Sequence, residues 1–421
     1  MIDVYVLNKN FETVGVIDDY KSLIWANRYK DNGDCELYLV ASAENISMLA
    51  MGFYLIRLDD DMVCRINSIT ITTDAEDGNY LTVKGIDAKS YLDQRIIWGT
   101  SVCHGSVETF IRTLVKNALI SPSDSDRKIS FIKLGTAAGF TQTSTQQISY
   151  ANLGETIREI CASYSWGYRM ILNSSDQLEF ELYEGTDRSD SVFFSDDYEN
   201  LSSTEYSDSC ELMTNVTLIG GQGEGTARKK ATLGNKTGED RYEQFVDADD
   251  IDTVITYEEL TTAFAGGTVV ASGLSYGYRM SSLDLLIYDD AHLAWLQRYY
   301  SGGTVVTISG ERFYRLTNII IATVESSAPE DTDDATLTEL IYHSYLLSRG
   351  AEMAAGYGEI ETFAGSIVSD VTFTYKQDYF LGDIVFVENE YGIGAEVRIT
   401  EVVECYDENG YSVEPTFEYI S

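Results

Sequence analysis

Residues 69–85 read ITITTDAEDGNYLTVKG. Ile69 and Ile71 alternate with Thr70 and Thr72, the pattern resumes at Leu81 and Val83, and Asp77, Gly78 and Asn79 lie between. Strand side chains alternate between two faces, so this spacing puts the apolar residues on one face, and Asp-Gly permits the positive φ of a tight reversal. The stretch predicts a β-hairpin. The same alternation, in short runs broken by turn residues, extends from Met1 to about Ile97, as at Ile2, Val4 and Val6, and marks the region as sheet.

Beyond it the period changes. Val107, Phe110, Ile111, Leu114, Val115 and Ala118 share one helical stripe, with Ser106 placed to cap it. Leu153, Ile157, Ile160, Cys161 and Tyr164 form a second stripe, capped by Asn152 with Glu155 three residues on, and ended by Gly167. YRMILN and QLEFELYEG around Ser174–Asp176 predict a second hairpin. NVTLIGG predicts a strand, and GQGEGTARKKATLGNKTG after it a loop or long hairpin tip. In 252–334, YDDAHLAWLQRYYSGG predicts a short amphipathic helix and TVVTISGERFYRLTNIIIATVE strand pairs. A helix over about Ala335–Met353, with Leu337, Leu340, Ile341 and Tyr345 on one face, leads into a last sheet. Its strands are predicted where Val371, Phe373 and Tyr375 alternate with threonines, in DIVFVEN, and on both sides of Asn409 and Gly410. No repeat of solenoid period emerges.

Composition agrees with a β-rich chain: of 421 residues, 44% are hydrophobic, thirty are tyrosine and only three are proline. Asp and Glu total 68 against 29 Lys and Arg, a formal charge of −39 that repels nucleic-acid phosphates and argues against sequence readout of DNA. The six cysteines, at 35, 64, 103, 161, 210 and 405, lack CxxC spacing and read as reduced, mostly buried thiols. A secretory leader is disfavoured because MIDVYVLNKNFETVGVIDDY lacks a basic region followed by an uninterrupted apolar stretch, and a membrane span because no stretch of about 18 apolar residues occurs.

Candidate chemistry is sparse. The three histidines, His104, His292 and His343, fall in separate regions, and no GxSxG, HExxH or Walker A sequence is present. Gly220 to Gly225, followed by Arg228, Lys229 and Lys230, has the glycines and cations of a phosphate cradle, but the helix that a cradle needs is not predicted, so a flexible loop or subunit contact is expected. Carboxylate runs at Asp59, Asp60 and Asp61 and at Asp249, Asp250 and Asp252 are too abundant to single out a glycosidase pair and are read as solvated faces, with a loose calcium site as the alternative. Trp25, Trp98, Trp166 and Trp295 are read as packing residues rather than a carbohydrate platform. No catalytic, metal or cofactor residue is assigned.

Several segments, in order, resemble the siphophage tail-hub or tail-associated (baseplate hub-like) protein family: VYVLNKNFETVGVIDDYKSLIWANRYKDNGDCELYL, GFYLIRLDDDMVCRI, SYLDQRIIWG, SPSDSDRKI, NLGETIREIC, LIGGQGEGTARKKATLG and Thr374–Phe417. The resemblance implies a homotrimeric hub of β-barrel tube domains and accessory domains. Its implied partners are distal tail and tail-tube proteins and tail-tip fibre or receptor-binding proteins, with DNA passing through unbound and the host cell surface engaged directly or indirectly. The implied location is the virion tail tip, after assembly in the bacterial host cytoplasm.

The expected fold is thus α+β, predominantly β, with several small tail-tube-like barrel or sheet domains and an inserted α+β module. The expected partition is 1–100 plus 196–250 as a tube-like hub domain, 101–195 as the module, 251–334 as an accessory insertion, and 335–421 as a helix plus second tube-like domain. The expected function is a non-enzymatic structural hub without cofactors. A glycan-binding adhesin of the tail tip and a tail-associated cell-wall hydrolase are the alternatives.

Overall fold

The computed structural model describes residues 2–74, 78–211, 213–249, 251, 271–272, 282–286, 300–301, 304–308, 311–317, 327, 329, 334–354, 360–367 and 372–420. Seven strands, β1 (Val4–Leu7), β2 (Thr13–Ile17), β3 (Ser22–Arg28), β4 (Asp34–Val40), β5 (Tyr54–Ile56), β6 (Val63–Asp74) and β7 (Gly78–Asp87), begin the largest sheet. A short helix, α1 (Ala43–Met48), follows β4. The predicted hairpin is β6–β7, with Ile69 opposite Val83 and Ile71 opposite Leu81. Its outer end leaves the core, so Ile71 is 51% exposed although Leu81 is buried.

Four distant strands complete this sheet: β8 (Phe193–Ser195), β9 (Ile384–Glu388), β10 (Gly394–Asp407) and β11 (Gly410–Tyr419). Its order is β8-β9-β10-β3-β4-β7-β6-β5-β1-β2, with β11 also paired to β10. The two ends of the chain therefore share one sheet, joined where Glu401–Tyr406 run antiparallel to Arg28–Leu23. Among the described residues its strand path stays open, and the protein is predominantly β in several sheets, not a closed barrel.

One face of the N-terminal strands packs Val4, Val6, Leu23, Trp25, Leu37 and Val83 into one core. Leu7, Phe11, Tyr54 and Val63 point the other way, into a core shared with residues 88–182. There α2 (Val107–Val115) starts where the Ser106 hydroxyl accepts the Thr109 N–H, and α3 (Leu153–Ser163) where the Asn152 side chain accepts that of Glu155. The second predicted hairpin pairs Gly167–Leu172 with Leu178–Tyr183, and Ile132–Leu134 adds a parallel strand.

Val216–Gly220 lies between Lys230–Leu233 and Glu243–Asp247, so the glycine-rich stretch is a hairpin tip followed by a strand. The final helix, α4 (Asp334–Ala354), covers this sheet through Tyr342 and Leu346. In the 252–334 unit Thr304–Ile308 pairs with Glu311–Thr317 as predicted, whereas most of the predicted helix over 288–303 lies outside the described residues. The strand expected over 371–375 is a correction. Among its described residues, Thr374 starts a tight turn: its carbonyl accepts the Gln377 and Asp378 N–H groups and its own N–H donates to the Asp378 carboxylate, so the chain reverses where a strand was expected.

Tyr29, one residue past β3, sits where β10, the hairpin of residues 167–183 and the turn before β9 meet. Its N–H donates to Thr400 O (2.8 Å) within β10, and its carbonyl accepts the Tyr168 N–H (3.3 Å). Its hydroxyl donates to Ser165 O and Tyr183 O at 3.1 and 3.3 Å. The ring is fully buried, and a Cβ at Gly167 or Gly382 would lie 2.2 or 2.5 Å from it. Both glycines are thus required by close approach, Gly382 also by φ +94°. Tyr29→Ala should cost about 3–5 kcal/mol and Tyr29→Phe about 1 kcal/mol. Gly167→Ala should cost about 1–3 kcal/mol by overpacking the same ring. Urea denaturation followed by fluorescence checks the three, and a wild-type midpoint for Gly167→Ala contradicts the packing account.

All six cysteines are free, with Cys35, Cys64, Cys103 and Cys161 buried, Cys405 half-buried and Cys210 exposed. Burial pushes the Cys161 thiol up to about 12 and Cys64 well above its ordinary value. A thiol reagent at neutral pH should label Cys210 first and the four buried cysteines only after unfolding, as read by peptide mass spectrometry.

Candidate functional site

The loop between β5 and β6 carries Arg57 and then Asp59, Asp60 and Asp61. It lies where the N-terminal strands, the hairpin of residues 167–183 and the turn of residues 374–381 converge on a cleft of about 420 Å3. Arg57 follows the last residue of β5, which aims its side chain inward against Trp25, and it is fully buried. Its guanidinium is bidentate to Glu404 of β10, at 3.1 and 3.0 Å, and also reaches Asp59 at 3.0 and 2.5 Å. Glu404 shares the inward register of Val402 and is 1% exposed.

Lys376 completes the network. Its ammonium lies 2.9 Å from Glu404, 2.7 Å from Asp60 and 3.2 Å from Asp59. Asp60 also accepts from the Asn27 amide and the Met62 N–H, while Asp61 pairs with Arg169 at 3.1 Å, which pairs in turn with Glu181. Tyr411 and Tyr406 donate to Glu404 at 3.0 and 3.3 Å. Of the aspartate triplet, Asp59 and Asp61 are exposed, as the solvated-face reading expects, whereas the Asp60 side chain is buried, and all three are paired to cations.

The charges shift one another's titration. Burial disfavours charge on Arg57, but hydrogen bonds and attraction from Asp59 and Glu404 outweigh it and raise its pKa. Burial likewise opposes ionisation of Asp59, yet Arg57 and Lys376 hold its carboxyl below the usual range. Lys376 is raised: burial opposes its charge, and the Asp60 and Glu404 carboxylates prevail. A site with each carboxylate engaged by a cation is built to hold elements together rather than to move protons.

The other flagged residues do not converge here. His343 lies on the exposed side of α4, His104 lies in a strand pairing with Thr145, and His292 is outside the described residues. The glycine-rich tip holds no open phosphate cradle: Arg228 donates to Gly220 O and Gly221 O and pairs with Asp247, Lys229 pairs with Glu339 of α4, and the Gln222 N–H donates to Tyr342. Asp249 is exposed, and Asp250, Asp252 and Trp295 are not described. Trp25 and Trp166 are fully buried, as a packing role requires, but Trp98 is 53% exposed. Among the described residues no group of three or more His, Cys, Asp or Glu side chains is arranged to hold a metal ion.

Arg57→Met leaves Glu404 buried with only Lys376 opposite and should cost about 3–5 kcal/mol, whereas Arg57→Met with Glu404→Leu should recover most of that loss. Thermal melts of the single and double variants check this. Because the folded-state pKa of Asp59 is depressed, its contribution is present above the ordinary carboxylate pKa of about 4 and is lost as pH falls through the folded value. Asp59→Asn should therefore flatten the acid limb of melting temperature against pH without changing its slope above about pH 6.

No curated protein matches the chain. Three solved structures share the fold over nearly their whole length. They are a 43 kDa tail protein of prophage MuSo2 from Shewanella oneidensis (TM-score 0.54, 8% identity, 99% of this chain and 98% of that one), a tail protein from Neisseria meningitidis MC58 (0.51, 10%, 99% and 97%), and prophage tail protein gp18 from Listeria monocytogenes EGD-e (0.50, 10%, 100% and 96%). The model of one protein family covers residues 3–417, both partners of the Arg57–Glu404 bridge included, and the chain accordingly belongs to the Siphovirus ReqiPepy6 Gp37-like protein family.

Proposed function

We propose that this chain is a non-enzymatic structural hub at the distal end of a phage tail, closing or extending the tail tube, anchoring receptor-binding components and opening for DNA passage. The observation that carries the reading is the end-to-end match, over residues 3–417, to a siphovirus family, in a fold shared by three solved tail proteins. The sheet joining β3 to β10 gives such a hub a rigid body. In this reading 1–100 plus 196–250 and 335–421 contribute the two tube-like domains, 101–195 is the inserted module and 251–334 an accessory insertion. A homotrimer offers six such domains, carries 3 × −39 = −117 formal charges and lets carboxylates line a lumen that repels DNA. Distal tail and tube proteins on one side and fibre or receptor-binding proteins on the other are its partners.

No feature of the site favours a hydrolase, since Asp59, Asp60 and Asp61 are all engaged by cations. Light scattering of the purified chain at micromolar concentration should give three times 47.0 kDa, and electron microscopy an axial channel with acidic walls. A monomer, or a channel with neutral or basic walls, contradicts the hub reading.

A further inference from the structure

Away from the charged cleft, a groove of about 500 Å3 opens beside the helix α2 and its continuation through Lys116–Ile120. At its mouth stand three large apolar side chains that folding leaves in water: Trp98 at 53% exposure, Ile96 at 50% and Tyr150 at 74%. Exposed large apolar groups gathered around a concavity, rather than scattered singly, mark an interaction site.

The platform is held in place. The Arg127 guanidinium sits 4.2 Å from the Trp98 ring centroid and donates to the Ile96 carbonyl, while Arg95 donates to the Arg127 carbonyl. Ile97 N–H donates to Ala151 O and Tyr150 N–H to Gly99 O, so the strip carrying Trp98 is tied to the strip carrying Tyr150. Tyr150 is kept at φ +52°, a conformation that costs a bulky residue free energy and that its surroundings must enforce. The indole is thereby presented with little freedom left to lose on binding.

The lining also departs from the rest of the molecule. Of 421 residues 68 are acidic, yet no carboxylate lines this groove, whose polar side chains are Ser101, Asn117, Ser123, Arg127 and the Tyr150 phenol. With Arg127 on one face of the indole, a rigid aromatic surface beside amide and hydroxyl groups matches a pyranose ring, its C–H face on the open indole face and its hydroxyls on the polar wall. The half-exposed Ile96 beside it, backed by the buried Leu114 and Ala118, accommodates the methyl of an acetamido group.

We propose that this groove is a saccharide-binding site taking an N-acetylated hexopyranose unit, with Trp98, backed by Arg127, as the stacking platform and Asn117 as a hydrogen-bond donor. The proposal goes beyond the hub reading and does not depend on trimer formation.

Titration of the full chain with chitotetraose, followed by tryptophan fluorescence and calorimetry, should show saturable binding. Trp98→Ala should weaken it by about tenfold or more, a loss of about 1.4 kcal/mol. Trp98→Phe should retain part of it, and Asn117→Ala should weaken it with Trp98 intact. Trp98 is half exposed, so unchanged melting curves are expected and separate lost binding from lost folding. No saturation in the wild-type chain, or equal affinity in Trp98→Ala, overturns the proposal. So does Trp98-dependent capture of apolar peptides with no saccharide response, which assigns the groove to a protein partner.

Discussion

The pairing of β3 with β10 is the constraint on which the rest of the structure depends. It joins residues more than 370 positions apart, and the main chain continues the seam one residue further, where the Tyr29 N–H donates to Thr400 O. Closing so long a loop costs only slightly more than closing a short one, because the entropy grows logarithmically with length. What must be gained in return is apolar burial, supplied by a core on each side of the seam, one holding Trp25 and Leu23 and the other Val402 and Ile399. Tyr29 then adds the third part, since its ring closes against Gly167 and Gly382 at distances that admit no Cβ. The hairpin of 167–183 is thus fixed to the junction by shape as well as by hydrogen bonds.

Acidity acquires a more specific meaning against this background. A formal charge of −39 works against compactness unless carboxylates are solvated or paired. The structure divides them. At the junction Arg57, Lys376 and Arg169 each bind two or more carboxylates, whereas exposed groups such as Glu224, Asp249 and Glu408 remain in water. Cations meet the carboxylates that folding buries, such as Glu404 and Asp60, while others, such as Lys84 and Arg241, pair with carboxylates at the surface. That division also explains why the basic run Arg228 to Lys230 gives no anion site: its first two members neutralise Asp247 and Glu339.

Local features were legible in the sequence because their causes are local. The β6–β7 pairing, the Ser106 and Asn152 caps and the stripe of α2 depend on residues a few positions apart, and the structure contains all of them. The strand expected at 371–375 failed because alternation alone cannot register the Asp378 side chain capturing the Thr374 N–H. Tryptophan exposure was equally hidden: Trp25 and Trp98 look alike in composition, and only the fold buries one and exposes the other. The Arg57–Glu404 bridge depends on residues 347 positions apart, so spacing could not reveal it. One signal was present. Glu404 occupies an inward position two residues from Val402, and a charge in that register requires a buried partner.

That buried pair need not add much to stability, since desolvating two charges offsets most of their attraction. Its consequence is register. A slip of one residue between β3 and β10 turns every side chain to the opposite face, which would carry Glu404 away from Arg57 and leave a fully buried guanidinium with Asp59 alone. An apolar pair at the same positions would tolerate the slip far better, because one aliphatic side chain can replace another on either face. Two ends of a long chain, each able to form sheet with several partners, are therefore held to a single alignment by the charge that is most costly to misplace.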